Sequence, residues 1–171
     1  MSLIRLLYTS TLVDELKFSQ MVELADAAHA HNAPCGVTGF LCYSNQRFLQ
    51  VLEGDGPTVN HIYHSRIVPA RAPRDSLLLH VAPIVARQFA GWFMGFANIG
   101  PSGQSLILRY FPHGKMDAEL ITPEGALEFL REVSVRRPSR RGREMPTKNR
   151  PLASTKAEHA KKASGPLSRR A

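Results

Sequence analysis

Five polar side chains fall at spacings that turn them toward one place. In the segment Ile4-Arg5-Leu6-Leu7-Tyr8-Thr9-Ser10 the alternation of a strand puts Tyr8 on the same face as Ile4 and Leu6. Between Phe48 and Leu52 it puts Gln50 on their shared face. His31 and Asn32 follow Ala28 by three and four residues and extend one face of a helix. Arg66 follows Tyr63 and Ile62 by the same spacings. Each has an ordinary reading: a core tyrosine bonding a carbonyl, an edge glutamine, a helix-capping asparagine, a histidine at a frayed end, a snorkelling arginine. Buried polar groups need partners, however. A planar heteroaromatic ligand rich in carbonyl and imide groups would satisfy all five. An amide such as Asn32 or Gln50 both donates and accepts against such an edge, and Arg66 donates to a ring carbonyl.

The elements that must position them can be read in order. A strand covers Ile4 to Ser10. A helix capped by Ser19, with Met21, Leu24, Ala25 and Ala28 as its stripe, ends near Asn32-Ala33-Pro34. Strands Val37–Tyr43 and Phe48–Glu53 are joined by the turn Ser44-Asn45-Gln46. Gly54-Asp55-Gly56 breaks the chain, and Pro57 opens a second helix carrying Val59, Ile62, Tyr63 and Ile67. Two more strands are expected at Leu77–Val85 and Trp92–Ala97. The order β-α-β-β-α-β-β, with right-handed crossovers, is a ferredoxin-like α+β sandwich with both helices on one sheet face. Its third strand lies beside the first, which brings Tyr8 and Gln50 together under the helices.

Domain organisation follows composition. Residues 1–100 form the ligand-binding domain. Residues 101–134, with a helix start at Thr122-Pro123-Glu124, form a helical appendage on the other sheet face. Residues 135–171 hold twelve Lys or Arg against two Glu, a charge of +10, whereas residues 1–134 hold ten against twelve, a charge of −2; together they give the net +8 of the chain. The tail is almost without large apolar residues and is expected to be disordered. Nucleic acid could therefore be bound only through that tail, since the rest offers no basic surface. The 171 residues include two cysteines, too few for a disulfide framework, and no apolar run or leader for membrane or export. A cytoplasmic protein is expected, with no membrane partner and no metal. Cys35 beside Pro34 reads as structural rather than as a hydrolase nucleophile, because no triad or metal spacing accompanies it.

These residues resemble the BLUF family, blue-light sensors that hold FAD in a ferredoxin-like domain. The resemblance covers roughly residues 2–100. It is carried by Leu7-Tyr8-Thr9-Ser10, His31-Asn32, Gly36-Val37-Thr38-Gly39-Phe40-Leu41, Phe48-Leu49-Gln50-Val51-Leu52-Glu53-Gly54, Arg66-Ile67 and Trp92-Phe93-Met94-Gly95. It implies FAD as cofactor, although the residues alone do not separate FAD from FMN. It implies that Tyr8 donates an electron and a proton, that Gln50 lies between Tyr8 and the flavin, that Asn32 and Arg66 hold the ring carbonyls, and that His31 packs near the ring. Trp92 and Met94, on the last strand, would be alternative neighbours of Gln50 that relay the signal. Where the family carries an Asp-x-Arg-His stretch, this chain reads Ala70-Arg71-Ala72-Pro73-Arg74-Asp75, so only Arg74 matches, as a cofactor contact. The implied function is a photoreceptor, not an enzyme, signalling to a partner protein. A homo-oligomer is expected too, because the sheet face away from the ligand is apolar and the appendage short. The alternative is a ferredoxin-like nucleic-acid- or protein-binding module with a basic tail and no light response.

Overall fold

The computed structural model describes residues 2–69, 73–117 and 120–136. Five strands form one sheet: β1 (Leu3–Leu12), β2 (Thr38–Ser44), β3 (Arg47–Asp55), β4 (Pro73–Pro83) and β5 (Gly95–Asn98). Their order across the sheet is β4-β1-β3-β2-β5. β1 is antiparallel to both β3 and β4, β2 is antiparallel to β3, and β5 runs parallel to β2. Helix α1 (Phe18–Asn32) links β1 to β2. Helix α2 (Gly56–Ile62) leaves β3 and widens into a π-helical turn over Tyr63–Ile67. Helices α3 (Gln104–Tyr110) and α4 (Pro123–Arg136) follow the sheet. The ferredoxin-like sandwich expected from the sequence is the architecture found.

Strand alternation divides the core in two. Ile4, Leu6, Tyr8, Leu41, Tyr43, Phe48 and Leu52 face α1 and α2, and pack with Met21, Val59, Ile62 and Tyr63. Leu7, Phe40, Cys42, Leu49 and Val51 face the other way and pack with Leu106, Ile107, Phe111, Phe129 and Leu130 of the appendage. Phe129 meets Phe111 edge to face with ring centroids 5.2 Å apart. Each buried aromatic or aliphatic side chain contributes about 1.5–3 kcal/mol. The hairpin between β2 and β3 closes through Asn45 and Gln46, both at positive φ (48° and 62°), which matches strand twist to a two-residue loop.

Four expectations need correction. Ser19 does not cap α1; the helix begins two residues earlier, at Phe18 after Lys17, and Gln20 Oε1 accepts the Lys17 N–H at 2.9 Å. The strand expected over Leu77–Val85 spans Pro73–Pro83 and carries a register shift opposite Leu7 and Tyr8. The last strand begins at Gly95, not at Trp92. The far sheet face is not bare: Leu7, Phe40 and Val51 are fully buried beneath α3 and α4, which removes the reason for expecting self-association through it. Arg136 is the last described residue of α4, so nearly all of the basic tail lies outside the described residues.

Candidate flavin site

Between the two crossover helices and the sheet lies a cavity of about 360 Å³. That volume is within the range of roughly 300–1,000 Å³ usual for small-molecule sites. β1 and β3 supply its floor through Tyr8, Ser10, Phe48, Gln50 and Leu52. α1 supplies Leu24, Ala27, Ala28, His31 and Asn32, and the α2 side supplies Ile62, Arg66 and Ile67. The short side chains of Ala27, Ala28 and Ser10 leave the space that larger residues would fill.

The register pairs Tyr8 directly with Gln50. The Tyr8 hydroxyl donates to Gln50 Oε1. Gln50 Nε2 in turn donates to Met94 Sδ, 3.4 Å away. Tyr63 stands edge-on to Tyr8, with centroids 5.4 Å apart at 65°. Burial raises the Tyr8 phenol far above its ordinary value, and Tyr63 adds to the effect, so Tyr8 is a neutral donor. Asn32 is buried, and its Nδ2 donates to the Phe93 carbonyl at 3.0 Å. His31 is held below its usual value by desolvation first, then by Arg66 and His61. Its Nε2 is buried without a partner. Arg66 is exposed at the cavity margin.

The structure thus brings Tyr8, His31, Asn32, Gln50 and Arg66 to one cavity. It separates the remaining three candidates. Met94 is buried beside Gln50, whereas Trp92 sits edge-on to Phe40, centroids 6.1 Å apart, on the opposite side of the sheet. The two diverge because residues 92–94 precede the strand and do not alternate as strand residues would. Arg74 lies within β4, but its side chain is outside the described residues. Reading one face alone missed Glu53: its parity, three residues past Gln50, places it on the far face, where it is fully buried.

The donor set fits a flat cofactor with carbonyl and ring-nitrogen edges. The unpartnered His31 Nε2 and the Gln50 carboxamide border the opening, and aliphatic side chains from both helices are placed to cover a ring.

Fold and cavity together define a small α+β domain with a cavity between its helices and its sheet. The description "Sensors of blue-light using FAD" matches residues 3–95, over half of the chain. The chain belongs to this family, BLUF. It is 31% identical over 97 residues to the photoactivated adenylate cyclase subunit beta of Euglena longa, covering 56% of this chain and 11% of the cyclase. The chain therefore spans about a tenth of the length of that curated relative. In fold it is similar to BlsA in its photo-activated state (TM-score 0.67, 20% identity, 77% of this chain and 94% of BlsA). It is also similar to the dark state of BlrB (TM-score 0.62, 21% identity, 77% and 94%). The described residues contain no helix long and apolar enough to cross a membrane.

Proposed function

We propose that this protein binds FAD in the cavity between α1, α2 and the sheet, and reports blue light by rearranging the Tyr8–Gln50 hydrogen bond. One observation carries the reading: a neutral phenol on β1 donates to a carboxamide on β3 at the floor of a cavity the size of a cofactor site. His31 and Asn32 from α1, and Arg66 from the α2 side, are the groups to hold the ring edge. When bound, the flavin supplies a ring system that blue light turns into an oxidant.

Tyr8 gives up one electron and, with it, the hydroxyl proton along its bond to Gln50 Oε1. Oxidation makes the phenol strongly acidic, so the proton leaves with the electron. Electron and proton both return to Tyr8, and no net oxidation remains. Gln50 keeps the change as a rotated or tautomerised carboxamide, released from Met94 Sδ. An exchange of this kind is worth about 1–3 kcal/mol. That suffices to shift a two-state population by about five- to 150-fold and is far too little to refold a domain. The output must pass through an element held by a few bonds, and the segment that carries Met94 is such an element. The reader is a partner protein met in the cytoplasm, where Cys35 and Cys42 remain thiols.

The test is optical. The FAD-loaded protein shifts its absorption slightly to the red under blue light and reverts in darkness. Tyr8→Phe keeps the flavin and loses the shift. A chain that takes up no flavin, or a Tyr8→Phe variant that still photoconverts, overturns the proposal.

A further inference from the structure

Glu53 is a wholly buried carboxylate that the photochemistry above does not use. Its Oε1 accepts from Arg5 Nε and Nη2 at 2.8 and 2.7 Å. Its Oε2 accepts the backbone N–H of Phe89 at 2.9 Å. Its main-chain carbonyl accepts from Arg87 Nη1 at 2.8 Å, and the same nitrogen donates to Thr38 Oγ1 at 3.0 Å. A little further on, the Trp92 carbonyl accepts the Gly39 N–H at 2.8 Å. The segment 84–94, between β4 and β5, is thus fastened to the sheet strands at Arg87, Phe89 and Trp92, besides the bond from the Ile84 N–H to the Leu3 carbonyl at 2.9 Å. Its end then enters the cavity side, where the Phe93 carbonyl takes the Asn32 amide and Met94 Sδ takes the Gln50 amide.

Only a group that accepts at both ends can hold Arg5 and the Phe89 N–H at once. Bringing such a charge out of water is costly unless it is fully bonded, and packing alone would be served by an apolar residue. Met94 follows Phe89 by five positions, so slack at the first is felt at the second within about 17 Å of chain. We infer that Glu53 is a positioning residue: by fixing the backbone of Phe89 it sets where Met94 stands against Gln50, and so how long the light-adjusted carboxamide persists. The lifetime half of this inference rests on the function proposed above.

The test uses the full FAD-loaded chain carrying Glu53→Gln. The substitution keeps the shape but turns an NH₂ toward either Arg5 or the Phe89 N–H, leaving one donor without its acceptor. Val51→Ala, a buried change on the same strand, is the control for lost packing. Amide exchange across residues 89–94 becomes at least tenfold faster in Glu53→Gln, and the lifetime of the red-shifted state changes at least fivefold. Val51→Ala lowers Tm and moves neither. Unchanged exchange, faster exchange with an unchanged lifetime, or a Val51→Ala variant that reproduces both effects overturns the inference. A wild-type chain without any light response sinks the proposed function instead, and the exchange rates, which need no flavin, then decide the fastening by themselves.

Discussion

Tyr8 and Gln50 face each other because each occupies an even position of its strand and the β1–β3 register aligns those positions. Replacing Tyr8 with Phe leaves the buried Gln50 carbonyl without its donor, and about 1–3 kcal/mol of stability should be lost, measured by chemical denaturation. His31 carries a pH dependence of its own. Its folded value is depressed, so the unfolded chain binds more protons just below the ordinary value of 6.5. Stability should therefore be full above that pH and fall as the pH drops through the folded value. In His31→Gln that share of the decline disappears, as Tm measured from pH 8 to 5 will show. The residues of the site were legible because strand and helix periods are strict: Tyr8, Gln50, His31, Asn32 and Arg66 all reach one cavity. Trp92, which the family resemblance placed beside Gln50, packs against Phe40 instead, because residues 92–94 precede the strand. Glu53 went unnoticed because a charge inside a far-face core has no periodic signature of its own; only the arginines that meet it explain it.

At the scale of elements, strand order and helix placement followed from handed crossovers, while the ends of elements did not. Ser19 offered a capping hydroxyl, yet Gln20 reaches back from inside the helix and starts it sooner. The π turn after α2 and the short helix α3 have no clear pattern in the sequence, since neither presents a full apolar stripe. Close approach of backbone matters most at Gly39, where an added Cβ would lie 2.2 Å from the Val51 carbonyl oxygen. Gly39→Ala should force β2 away from β3 and destabilise the domain by at least about 2 kcal/mol, with loss of any bound flavin on mild heating. In the appendage, Phe129 is completely buried against Phe111 and Tyr110. Phe129→Ala should cost about 3–5 kcal/mol and expose α4 to proteolysis before the sheet unfolds.

Over the whole molecule, charge is segregated along the chain. The +10 of residues 135–171 stands beside a −2 remainder. Removing residues 137–171 should abolish retention on an anionic resin at low salt while leaving Tm and the flavin spectrum unchanged. Exposed apolar side chains are spread over several elements: Phe18 of α1, Leu77, Leu78 and Val81 of β4, and Leu108 of α3 all stay more than 40% exposed, while the central strands of the sheet are covered.

With helices on either side of it, the sheet works as an inner wall clad on both surfaces. Only its edge strand β4 keeps Leu77, Leu78 and Val81 open to solvent. On the function proposed above, news of an absorbed photon would travel to the wall's perimeter along the strip that crosses from one cladding to the other and ends at Met94.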